Sequence, residues 1–168
     1  IVRRTAWGMM LSASACGGDG RQLWFASWDI GVGFGVRWDM ARTVLLEHRL
    51  PSGERHFDWL IERPLEPDAL LVSFRVGVRV DCVGETATGR EPIEAVRMKD
   101  HRRLYLEYEG ALTGGRGDVL RVGEGEVLRF EERGERVRVE VRWRGGGAAA
   151  WEIRRVDGEL WRAESVGA

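Results

Sequence analysis

The chain has three histidines, His48, His56 and His101, and each has another polar group at a spacing that chemistry can use. His56 and Asp58 lie two apart in Arg55 to Arg63, a strand-length run, so both project from one face while Phe57, Trp59 and Ile61 project from the other. That face is polar where the interior or mouth of a barrel would be. His48 ends the preceding run, Arg42 to His48, and a hairpin through the Pro51-Ser52-Gly53 turn brings it beside His56. Two imidazoles and one carboxylate form a workable donor set for a divalent transition metal with positions left open for substrate. The same trio is also an ordinary set of surface polar groups near a hairpin, and spacing alone does not separate the two.

His101 and Tyr105 lie four apart at the entry to Leu104 to Tyr108, whose alternation predicts a strand, and an even separation puts both on one face of it. An imidazole beside a phenol could hold a phosphate or protonate a leaving oxygen; taken alone, the two read first as a surface pair. Thr113-Gly114-Gly115-Arg116-Gly117 could offer backbone N–H groups and a guanidinium to an anion. It lacks the Lys-Ser/Thr of a phosphate-binding P-loop, and its composition favours a flexible hairpin loop.

Stepping along the chain, the positions that carry these groups read as β structure from residue 42 onward. Leu70 to Val80 predicts one or two strands, and Pro92 to Lys99 permits one short helix. Arg136 to Arg144 alternates strictly, with Val137, Val139, Val141 and Trp143 on one face and charges on the other, the pattern of a half-buried antiparallel strand. Val127 to Glu131, Trp151 to Val156 and Leu160 to Ala163 follow, punctuated by Gly134, Gly145-Gly146-Gly147 and Asp157-Gly158. Seven or eight short strands joined by tight turns predict an all-β, mainly antiparallel domain, a compact β-barrel with at most one or two short helices. Residues 1–39 hold half of the eight Trp residues but sustain neither period, so they read as a poorly structured extension of the 40–168 domain; strands at Trp24-Phe25 and Val32 to Trp38 are the alternative.

Composition narrows the partners. The 168 residues fit one domain, and 32% charged with 43% hydrophobic residues fits a globular chain with no membrane span. The net charge is −1, so any nucleic-acid binding must rest on a local patch and not on a general basic excess. Every basic residue except Lys99 is Arg, a bias expected of a GC-rich genome and one that also suits bidentate phosphate recognition. Cys16 and Cys82 fall outside any CxxC spacing, which points away from a thiolate zinc site or disulfide framework and toward a reducing, cytoplasmic setting.

Val44-Leu45-Leu46-Glu47-His48 with His56-Phe57-Asp58-Trp59-Leu60 resembles the His…His-aromatic-Asp motif of the 3′-phosphoesterase domain of bacterial DNA ligase D and its stand-alone relatives. Asp100 to Gly110, followed by Gly114-Gly115-Arg116-Gly117, resembles that family's second block, and the similarity spans approximately residues 42–156. The resemblance implies a compact β-barrel that trims damaged or ribonucleotide-bearing 3′ ends in DNA repair as a phosphodiesterase and phosphomonoesterase. It implies that His48, His56 and Asp58 hold a manganese-like ion and that His101 and Tyr105 contact the scissile phosphate. It further implies nucleic acid 3′ ends as substrate, a separately encoded ligase or polymerase as partner, and a monomer. Leu60 stands where the family has a phosphate-clamping Arg, the two motif histidines are two residues further apart, and Arg37-Trp38-Asp39 is a poor counterpart of the upstream Arg-Asp element. Arg116 and Arg102 are the replacement clamps the sequence offers. The competing expectation, favoured by Leu60, is a non-catalytic barrel that binds DNA ends or a repair partner through a structural or degenerate metal site.

Overall fold

Alternation of large apolar and polar side chains dictates strands that bury one face, and the computed structural model, which describes residues 40–82 and 91–166, is built from nine of them. They are β1 (Arg42–Arg49), β2 (Arg55–Ile61), β3 (Val72–Val76), β4 (Ile93–Arg97), β5 (Gly110–Ala111), β6 (Asp118–Arg133), β7 (Arg136–Trp143), β8 (Ala148–Asp157) and β9 (Leu160–Val166). All pairings are antiparallel, in the order β1-β2-β3-β4-β9-β8-β7-β6-β5. A further antiparallel pairing of β1 with β6 closes the sheet into a ring, so the fold is all-β and barrel-like. The described residues lie in one unit, Arg37–Ala168, and the expected 1–39 extension lies outside them.

The ring has an inside and an outside, and the sequence parity of each strand decides which is which. Trp59, Phe74, Val139, Trp151, Ile153 and Ala163, from five different strands, meet in one cluster that fills the interior. Trp59 is fully buried, its ring edge-on to Trp151 at 5.8 Å, with its indole N–H donating to Thr43 Oγ1 at 2.9 Å. That bond matters because a buried indole donor left unpaired costs about 1–3 kcal/mol. A second, smaller cluster of Val44, Leu46, Leu60, Leu71, Leu106 and Val119 lies on the opposite face of β1, β2 and β6, outside the ring. The segment 98–117 crosses over it.

Three local expectations are corrected. Residues 93–97 form β4, not a helix: the backbone pairs with β3 on one side and β9 on the other, and Ala95 enters the core. Eight or fewer residues of weak helical pattern cannot compete with two open strand edges. Leu104 to Tyr108 is not a strand but begins in a short 3-10 helix, Arg103–Leu106, in which Leu104 is exposed and Leu106 is buried in the outer cluster. Its backbone satisfies itself, with the Glu107 and Tyr108 N–H groups both donating to the Leu104 carbonyl. Ion pairs from Arg103 to Glu62 and from Arg42 and Arg121 to Glu107 tie this turn to the ring. The third correction concerns the His56/Asp58 face, which belongs to the outside of the ring and not to its interior, as the company of Leu60 in the outer cluster shows.

Candidate metal centre

The β1–β2 register places His48 directly opposite His56, with Asp58 one pleat further along the same face. The turn that sets this register is tight: Gly53 N–H donates to Leu50 O and Leu50 N–H to Glu54 O, each at 2.9 Å, and Gly53 adopts φ +88, open to glycine at low cost. The two imidazole rings lie 4.7 Å apart, edge to face. One donor atom from each of His48, His56 and Asp58 falls within 4.8 Å of the others. Two donors on one ion at about 2.1 Å are at most about 4.2 Å apart, so the three atoms must draw closer together to complete the set.

Tautomer and burial argue that this space is built for a cation. His48 Nε2 lies 2.8 Å from the Arg116 carbonyl, which can only accept, so the ring proton of neutral His48 resides there and Nδ1 carries a lone pair. Nδ1 faces Asp58 Oδ2 at 3.5 Å, and His56 Nε2 faces Asp58 Oδ1, also at 3.5 Å. His56 Nε2 and Asp58 Oδ1 are buried without a hydrogen-bond partner. Burial lowers the His56 pKa below its ordinary 6.5, against the pull of Asp58 and with help from the Arg75 and His48 charges. For neutral His48 an acceptor thus faces an acceptor, and His56 Nε2 and Asp58 Oδ1 are buried without a hydrogen bond, an arrangement that costs free energy and that a cation among them would relieve. The residues therefore fit a divalent ion, with the Arg116 carbonyl orienting one imidazole from behind.

The same face gathers the second block. A cavity of about 330 Å³ is lined by His48, Asp58, Arg75, His101, Tyr105 and Arg116 among others. His101 is brought there by a bridge to Leu71, its N–H and carbonyl both bonding that residue, and not by a strand of its own. Ser73 Oγ donates to Leu71 O and so accepts from His101 Nδ1–H at 2.8 Å, which leaves Nε2 as the ring nitrogen that Ser73 does not engage. Burial is the chief cause that lowers the His101 pKa from 6.5; Asp58, a backbone hydrogen bond at Lys99 and Asp100 oppose it, and Arg75 adds to it. Tyr105, on the 3-10 turn, stacks edge-on to His101 at 5.3 Å.

The two Arg residues put forward as clamps separate. Arg116 lines the cavity, its side-chain Nε donating to Thr113 O at 2.9 Å; Arg102 is exposed and does not line it. Leu60 lines the cavity fully buried, packed with Val44 and Leu46. Two residues were missed by the sequence reading, Ser73 and Arg75. Their signal was present in β3, where Val72, Phe74 and Val76 alternate with a polar face opposite Leu60 and Asp58.

The arrangement defines a ring-closed antiparallel β protein with a candidate metal centre on its outer face. No protein-family model matches the chain, and no curated protein matches it. Among the described residues no helix is long and apolar enough to cross a membrane.

Proposed function

We propose that the protein is a divalent-metal-dependent phosphoesterase that trims 3′-phosphate or 3′-ribonucleotide ends of nucleic acid in DNA repair. One observation supports this reading: His56 Nε2 and Asp58 Oδ1, buried without hydrogen-bond partners, converge with His48 beside a cavity that His101 and Tyr105 also line. His48, His56 and Asp58 would hold the ion, a donor set that suits a divalent transition metal, with Mn2+ the metal that the resemblance to the ligase D domain implies. When bound, such an ion supplies a Lewis acid that polarises a phosphoryl oxygen.

The chain's own residues supply the rest. Ser73 fixes the His101 ring by its Nδ1 side, so a second proton, when the ring takes one up, resides on Nε2 and can pass from there to the leaving oxygen. The Tyr105 hydroxyl adds a hydrogen bond to the phosphate or to that oxygen. Asp58 is the only acid among the residues lining the cavity, against Arg75 and Arg116, so its charge balance favours an anion. Nucleic acid ends, with a separately encoded ligase or polymerase acting on the trimmed product, are the expected partners, and the cytoplasm the expected setting.

The non-catalytic alternative is favoured by buried Leu60, which leaves that β2 position without a cationic side chain. Manganese titration of the full chain, followed by assay on a 3′-phosphate primer and a 3′-ribonucleotide primer, separates the two. The enzyme reading expects manganese binding and release of phosphate or nucleoside. His48→Ala, His56→Ala and Asp58→Ala should each abolish manganese binding while leaving the far-ultraviolet dichroism of the fold intact. Metal binding with no turnover on either primer would leave the binding barrel.

A further inference from the structure

Arg75 stands between two cavities. One, about 330 Å³, is lined by His48 and Asp58; the other, about 690 Å³, opens over β3 and β4 and is lined by His56, and Arg75 lines both. The β2–β3 register sets Arg75 opposite Asp58, yet its Nε lies 3.9 Å from Asp58 Oδ1, too far to hydrogen-bond. That Nε is buried and has no hydrogen-bond partner, while 41% of the side chain is exposed, so the terminal nitrogens reach open space. A guanidinium offers five N–H donors in a fork that matches phosphate oxygens, and no hydrogen bond among the described residues uses those of Arg75.

The larger cavity differs in chemistry. Val78, Ile93, Val96 and Leu160 give it aliphatic walls, and Val78 and Leu160 are exposed although large and apolar. Its acids are Glu91 and Glu94, and its other cation, Arg79, is engaged with Asp81 and the Val122 carbonyl. Two carboxylates repel a second phosphate, and aliphatic walls accept the face of an uncharged ring. Carboxylates at the rim accept hydrogen bonds from hydroxyl or amino groups of that ring.

We propose that Arg75 holds the substrate phosphate and divides the site in two: the phosphate lies on the side of His48, Asp58 and His101, and the nucleoside esterified to it lies across Arg75 in the larger cavity that His56 also borders. The inference rests on the phosphoesterase reading for its substrate class, but it is a statement about binding. Terminal nucleotides with one phosphate are therefore the ligands the site prefers.

The test is calorimetric titration of the manganese-loaded full chain with inorganic phosphate and with adenosine 3′-monophosphate. The nucleotide should bind at least about tenfold more tightly than phosphate, and in Leu160→Asp that advantage should fall below about twofold. Arg75→Gln should weaken both ligands about tenfold or more while manganese affinity is kept or raised, and Arg75→Lys should recover part of the loss. If Arg75→Gln loses manganese and phosphate affinity in parallel, Arg75 only steadies Asp58 and the proposal is overturned. Equal affinity for the two ligands overturns the nucleoside subsite. Should these binding results hold while no phosphoester is hydrolysed, the phosphoesterase reading alone fails.

Discussion

His101 and Tyr105 differ from the triad in what they should lose on substitution. His101 has one ring nitrogen bound to Ser73 and lies outside the three-residue donor group. His101→Ala should therefore leave manganese affinity nearly unchanged while turnover on a 3′-phosphate primer falls about 10²–10⁴-fold. Tyr105→Phe keeps the ring against His101 and should show the same separation with a smaller loss. Both are to be assayed at saturating manganese; full activity in His101→Ala, or parallel loss of metal and rate, removes the role given to it. The lowered pKa values of His56 and His101 make a second residue-scale prediction, for the metal-free protein. Both rings are kept neutral by burial, so as pH falls through 6.5 the unfolded chain takes up protons that the folded chain does not. Stability is thus complete above the ordinary histidine value and is lost as pH falls below it. Urea midpoints measured across this range should decline, and the decline should be shallower in His56→Gln and His101→Gln; a midpoint independent of pH would contradict the burial argument.

At the scale of elements, the loop between β5 and β6 fixes a ligand it does not itself contain. Gly117 has φ +92, and a Cβ there would lie 1.9 Å from the Arg49 carbonyl oxygen, a backbone atom that cannot swing away. Gly117→Ala must displace the loop, and with it the neighbouring Arg116 carbonyl that accepts from His48. Loss of such an orienting bond costs about 10–100-fold in metal affinity. Gly114, at φ +78 with nothing within 4 Å of an added Cβ, is the control: Gly114→Ala bears only the conformational cost, about 1 kcal/mol, and should keep its manganese affinity. Titration of the two variants decides whether the loop positions His48. Sequence legibility also divides by element. β7 was readable because Val137, Val139, Val141 and Trp143 report one buried face with no competing signal. β4 was not, because five residues bearing one buried Ala95 carry too little pattern until β3 and β9 flank them. The His48/His56/Asp58 grouping was legible because a tight hairpin fixes it locally. Arg75 was not, because its nearness to Asp58 depends on pairing across the long connection between β2 and β3. The turn carrying Tyr105 alternates like a strand, yet it folds as a 3-10 helix because it has only Leu106 to bury and lies over a formed sheet face.

For the molecule as a whole, what holds the site is the closure of the ring. β1 carries His48 and is paired along both edges, to β2 and to β6, so this strand cannot form its second edge until β6 has been made. Where β6 passes from β1 to β7, Gly125 pairs with both Thr43 and Trp143, and an added Cβ would stand 2.6 Å from the Arg142 carbonyl. Gly125→Val should thus weaken closure and destabilise the interior and the metal centre together. Every strand pairing described lies within residues 42–166, including this closing one. A chain beginning at Met40 should accordingly unfold in a single cooperative transition, with coincident fluorescence and dichroism curves and manganese affinity within about twofold of the full chain. Pairings this distant in sequence close slowly, so refolding of that shorter chain should fall in the range of milliseconds to seconds typical of all-β domains. If the shorter chain is insoluble, or its two probes part company while the full chain melts as one, then residues 1–39 contribute to the ring and the boundary at Met40 is wrong.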